Sequence, residues 1–118
     1  MDGNANALWR RVLGLVGLGL RGRLAVVGVE QVRKAATKGS LHLALVAGDA
    51  SHHSRDKVLP LLAARHVQVV DGASAAALGR AVGREATAVI GIVDEQLAKG
   101  IRGIVNSMAR ASAKESVG

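Results

Sequence analysis

Apolar positions along this chain recur at helical spacing, then in short unbroken runs, then at helical spacing again, from end to end. Leu8, Val12, Leu15 and Val16 form one stripe and predict a first helix over residues 4–18. Gly14, Gly17, Gly19 and Gly22 weaken its second half and predict its end there. Leu24–Val27 is a short β-branched run closed by Gly28, which predicts a strand. Val29, Val32, Ala35 and Ala36 then fall on one helical face, with Gly39 as the stop. Leu41–Ala47 is apolar nearly throughout, the pattern of a strand covered on both faces.

A turn, Gly48-Asp49-Ala50-Ser51, leads into a third helix with Asp49 or Ser51 as its N-cap and Val58, Leu61 and Leu62 on one face. Pro60 inside it predicts a late start or a kink. Val67–Val70 is a further strand, Ser74–Val82 a helix ended by Gly83, and Thr87–Val93 a fourth apolar strand. The last helix starts at Asp94 and carries Leu97, Ile101, Ile104, Val105 and Met108. Strict alternation of helix and strand predicts an α/β fold: a three-layer α-β-α sandwich around a small, mixed sheet of about four strands. With no linker or repeat, residues 1–118 form one expected domain, fraying at 1–5 and 111–118.

Composition changes the picture in three ways. The chain lacks Phe and Tyr and has one Trp, so Ala, Val, Leu and Ile must fill a tightly packed core. Without cysteine there are no disulfides, thiolate metal sites or thiol nucleophiles. The longest glycine-and-apolar run, Val12–Leu20, is too short for a membrane span of about 20 residues. A soluble cytoplasmic protein with no membrane partner is expected.

Sixteen Lys and Arg against nine Asp and Glu leave a net charge of +7. The excess gathers in residues 1–38, at Arg10, Arg11, Arg21, Arg23, Arg33, Lys34 and Lys38. Such a cluster suits a polyanion, and its affinity would fall with salt.

Several motifs carry less than they offer. Gly17-Leu18-Gly19-Leu20-Arg21-Gly22 fits G-x-G-x-x-G, but it follows a helix and precedes a strand, the reverse of a dinucleotide loop. His42, His52, His53 and His66 lack metal-ligand spacing, so no metal or other cofactor is expected. Ser51, the neighbouring histidines and Asp56 have no nucleophile elbow around them, and no catalytic residue is assigned. Glu30 and Lys34 stand at i,i+4, the spacing of a weak surface ion pair.

One set of segments has a familiar order. Gly28-Val29-Glu30-Gln31-Val32-Arg33-Lys34, then Gly39, then Leu45-Val46-Ala47-Gly48-Asp49-Ala50-Ser51 resembles the ribosomal protein L7Ae superfamily of kink-turn RNA binders. The family pattern runs G-x-N-E-x-x-K, a helix, then an apolar strand ending A-E-D. Leu59-Pro60-Leu61-Leu62 is similar to its L-P-x-L, and Leu78-Gly79-Arg80-Ala81-Val82-Gly83 to its L-G-K-A-x-G. The short loop Gly83-Arg84-Glu85-Ala86-Thr87 resembles that of the small stand-alone bacterial members often called YlxQ.

The resemblance implies a non-catalytic binder of kinked or bulged RNA, associated with ribosomes or translation. It places the RNA-facing residues at Gly28, Glu30, Gln31, Arg33, Lys34 and Lys38, facing Arg84, Glu85 and Ala86. There Gly28 allows close backbone approach, and the following helix start offers N–H groups to a phosphate. Gln31 offers both donor and acceptor to a base edge, while Arg33, Lys34 and Lys38 add cations. Two positions depart from the family: Glu30 stands where it has Asn, and Gln31 where it has Glu. Because the superfamily also includes adaptors of the Gadd type, the alternative is a protein-interaction module with ribosomal or adaptor partners. A substrate-recognition domain detached from an RNA methyltransferase is a further possibility in principle, without a cofactor motif to support it.

Overall fold

In the computed structural model, the backbone is described for residues 2–117 and the side chains for residues 6–110. The expected fraying at 1–5 and 111–118 concerns residues outside the described side chains. The elements follow in the order α1 (Asp2–Arg21), β1 (Ala25–Val27), α2 (Val29–Lys38), β2 (Leu43–Val46), α3 (His52–Ala64), β3 (Gln68–Val70), α4 (Ala75–Ala81), β4 (Val89–Ile92) and α5 (Glu95–Val117). The strands form one sheet in the order β1-β4-β2-β3. Because β4 runs antiparallel to both β1 and β2, while β2 and β3 are parallel, the sheet is mixed, as expected.

Alternation along the central strands sorts the two helical layers. Leu43 and Leu45 of β2 and Ile90 and Ile92 of β4 point toward α1, α4 and α5, where they pack with Val12, Val16, Leu78 and Ile101. Ala44 and Val46 of β2 and Val89 of β4 point the other way, into α2 and α3, against Val32, Ala36, Val58 and Leu62. The lack of Phe and Tyr is matched by close approach. A methyl at Gly91 would lie 3.1 Å from Val26 and 3.2 Å from Val32, so α2 sits directly on the bare strand.

α1 does not end near residue 18 as its glycines suggest. It continues to Arg21, because two of those glycines are packing positions. A methyl at Gly17 would stand 2.9 Å from the Ala81 carbonyl oxygen of α4, and one at Gly19 would run into the Leu97 side chain of α5. Helix crossings this close offset the low helix propensity of glycine, which is about 1 kcal/mol per residue.

The helix ends share one device. Leu24 N–H donates to Gly19 and Arg23 N–H to Leu20, with Arg23 at φ 63°. The same pair of bonds closes α2 at Gly39, α3 at His66 and α4 at Gly83, all with positive φ. These are Schellman motifs, two of them built on residues other than glycine.

Of the two expectations from Pro60, α3 corrects the late start, and Pro60 lies inside the helix. It starts at His52 without delay, capped by Ser51, whose hydroxyl accepts from Ser54 N–H at 3.2 Å. Asp49, the other candidate cap, accepts instead from Ala75 N–H at 2.8 Å and ties the β2–α3 turn to the start of α4. Asp94 caps α5 by accepting from Leu97 N–H at 2.8 Å.

Candidate nucleic-acid interface

The strand directions gather four junctions at one end of the sheet. β1, β2 and β3 finish there and feed α2, α3 and α4, while β4 begins there after the loop from α4. Gly28 closes β1 and caps α2 with φ 96° and ψ 160°, a combination essentially confined to glycine. Its N–H donates to the Val89 carbonyl at 3.0 Å and its carbonyl accepts from Val32 N–H at 3.0 Å. A Cβ here would meet nothing within 4 Å, so backbone conformation rather than crowding requires the glycine. No side chain caps α2. Its first N–H groups therefore face outward at the positive end of the helix dipole, an arrangement that accepts anions.

Across from this turn lies the loop of residues 83–87. β4 begins two residues after the loop, and its Val89 carbonyl accepts from Gly28 N–H beside the β1–β4 pairing, so turn and loop share one end of the sheet. The loop's shape depends on Gly79, which the resemblance marked only as a motif letter. Arg84 N–H donates to the Gly79 carbonyl at 2.7 Å, and a Cβ on Gly79 would lie 2.8 Å from both Arg84 O and Ala86 N. Any side chain there pushes Arg84, Glu85 and Ala86 out of place. Thr87, only 5% exposed, anchors the loop through its N–H to the Ala75 carbonyl, while its hydroxyl oxygen has no hydrogen-bond partner.

The polar candidates on α2 are all exposed: Glu30, Gln31, Arg33, Lys34 and Lys38. Glu30, Arg33, Lys34, Thr37 and Lys38 border a shallow depression of about 320 Å³. Gln31, Lys34 and Lys38 border a second of about 310 Å³, on the side of β1. Lys34 and Lys38 thus form the ridge between the two. Glu30 and Lys34 do not form the ion pair their spacing allows, since no ion pair within 4.0 Å occurs among the described residues. The Arg33 guanidinium donates to the Lys57 carbonyl on α3, which holds it at the α2–α3 seam. Arg84, Glu85 and Ala86 are exposed on the opposing loop.

The basic excess of the first 38 residues is not one patch. Arg33, Lys34 and Lys38 lie on α2, whereas Arg10 and Arg21 line a groove of α1 with Arg80 of α4, on the other side of the sheet. Helical phase assigned each residue to a face of its own helix, but nothing local told the two faces apart. His52 and His53 are exposed at the start of α3, and no group of three or more metal-ligating side chains occurs among the described residues.

Fold and site together define an α-β-α sandwich with an open backbone turn flanked by cations at one end of its sheet. A family model matches residues 12–102, and the chain belongs to the Ribosomal protein L7Ae/L30e/S12e/Gadd45 family. Among curated protein sequences none matches significantly. Among solved structures, a protein with unknown function from Bacillus halodurans is similar at 30% identity and TM-score 0.74, over 80% of this chain and 96% of that one. The Giardia lamblia 15.5kD RNA binding protein is similar at 27% identity and TM-score 0.70, over 86% and 87% of the two chains.

Proposed function

We propose that this protein binds structured RNA, without catalysis, at the Gly28 turn. The observation that carries this reading is the uncapped start of α2, held open by a glycine at φ 96° and bordered by exposed Gln31 and Lys34. A backbone phosphate sits against the free N–H groups, and Lys34 and Lys38 neutralise its neighbours. Gln31, one turn in, reaches a base edge opened by a kink or bulge, where an A-form groove is wide enough to read. Arg84, Glu85 and Ala86 lie beside bases displaced from the stack. Family membership and the similarity to a Giardia lamblia RNA binding protein support RNA as the ligand class. Kink-turn RNA, a ribosomal or translational setting and a cytoplasmic location complete the proposal. No helix among the described residues is long and apolar enough to cross a membrane.

The test is a gel-shift titration with a kink-turn RNA and a duplex of equal length, at two salt concentrations. The kinked RNA should bind more tightly than the duplex. Gln31→Ala should weaken the kinked RNA alone. Lys34→Ala should weaken both and lower the log–log salt slope by about 1. Equal binding of both RNAs, indifferent to Gln31, would reduce the site to a general basic surface.

A further inference from the structure

α1 carries two stripes, and only one is used in the fold. Val12, Val16 and Gly19 are buried toward the sheet and α5. The second stripe, Arg10, Leu13, Gly14, Gly17, Leu18 and Arg21, follows the same helical period. With Ala77, Arg80 and Ala81 of α4 it lines a groove of about 550 Å³. Its floor is apolar and low, made of two glycines and two alanines, with Leu18 63% exposed on one wall.

Three features of this groove lack an explanation among the described residues. Gly17 is required by the Ala81 carbonyl, but a Cβ on Gly14 would meet nothing within 4 Å. Gly14 thus weakens mid-helix without a packing reason, and its effect is to keep the groove open. Arg33, Arg55 and Arg102 all donate to protein oxygens, whereas Arg10, Arg21 and Arg80 find no partner among the described residues. Neither α4 nor residues 6–21 of α1 contain a carboxylate.

We propose that the α1–α4 groove is a docking site for an acidic amphipathic helix of a protein partner. The low floor accepts an apolar ridge at three- and four-residue spacing, as helix-in-groove recognition requires. Arg10 and Arg21 stand three turns apart, about 16 Å along α1, with Arg80 on the opposite wall, so carboxylates flanking that ridge meet a cation on each side. RNA is the poorer fit. An exposed leucine and a glycine floor offer nothing to phosphates, and no aromatic side chain lines the groove to stack on a base, the one tryptophan, Trp9, lying against Gly72. The site lies on the opposite layer from α2 and does not depend on the RNA reading.

The test uses the full chain, labelled with nitrogen-15, and a synthetic helical peptide of about 18 residues with leucines at helical spacing and glutamates elsewhere. Controls are the same peptide with lysines for glutamates, and an RNA duplex. The glutamate peptide should shift the amides of Gly14, Gly17, Leu18 and Arg80, and this should weaken with salt. Arg10→Glu and Arg80→Glu should each lower its affinity about tenfold. Gly14→Leu fills the groove and favours the helix. It should abolish peptide binding while the melting temperature holds or rises and kink-turn RNA binding stays unchanged. No shifts at millimolar peptide, equal binding of the lysine peptide, or shifts at these amides from the RNA duplex would each overturn the proposal. Failure of the RNA reading would show instead in the gel shift, which contains no peptide.

Discussion

The α2 surface and the α1–α4 groove carry comparable positive charge on opposite layers of one sheet, yet they are built from different materials. On α2, Lys34 and Lys38 form a ridge beside an uncapped helix start, so the cations stand next to free backbone donors. In the groove, three arginines frame an apolar floor of glycine and alanine, and the nearby start of α4 is capped, with Ala77 N–H donating to the Ser74 hydroxyl. The first arrangement suits an anion whose charge is its main feature. The second suits an anion attached to something greasy. A net charge of +7 does not distinguish them; the atoms between the charges do.

The glycines make the same contrast at the level of the backbone. Gly28 is needed for its φ, Gly79 and Gly91 for their close neighbours, and Gly14 for neither. Substitutions at these positions separate what holds the scaffold from what serves each surface. The largest expected effect is at the shared support. Gly91→Val drives side-chain atoms into Val26, Val32 and Leu41 and should cost about 3 kcal/mol in urea denaturation. It should weaken binding at both surfaces, and a loss confined to one would show that the two layers fold less cooperatively than one sheet implies.

Next is Gly28→Val, which places a β-branched residue at φ 96° and should cost about 2 kcal/mol. RNA affinity should fall much further than the stability loss alone explains, while the groove peptide binds as before in conditions where the variant is folded. Unchanged RNA affinity in the folded fraction would break the assignment of RNA to this turn.

A smaller effect, with opposite signs in two measurements, is expected at Glu30. The carboxylate favours the α2 dipole but repels phosphates, so Glu30→Asn should lower stability by about 0.5 kcal/mol. It should also raise kink-turn RNA affinity several-fold at low salt, with the gain shrinking as salt screens it. If affinity falls instead, Glu30 accepts hydrogen bonds from the RNA and is a specificity residue.

The smallest change concerns Arg23. It occupies a left-handed position that closes α1, so Arg23→Gly should raise stability by about 0.5 kcal/mol in thermal denaturation. Neither surface should respond. A drop in RNA affinity would extend the basic footprint beyond α2.

How much of this was legible beforehand differs by element. β2 and β4 stood out because each is apolar on both faces, the mark of a central strand. α2 was legible to its bounds because Gly28 and Gly39 bracket a clean amphipathic stretch. α1 was predicted short, since its glycines lower helix propensity locally while the contacts that offset this come from α4 and α5. Pro60 suggested a disturbed α3, but the Ser51 cap fixes the start eight residues ahead of the proline. At the candidate site, the residues on α2 could be named from motif and charge. The seating of the opposing loop on Gly79 could not, because it depends on a distance across a turn.

The chain by itself determined the order of its elements, most of their caps and the amount of charge available, because these follow from periodicity and local hydrogen bonding. Only the tertiary structure decided that β1 lies beside β4, which puts Gly28 at the same end of the sheet as the loop of residues 83–87. It alone also divided the N-terminal cations between two layers. A hydrophobic stripe specifies which side of an element must be covered. What covers it, and therefore which polar faces end up as neighbours, is settled by how all the elements close-pack at once.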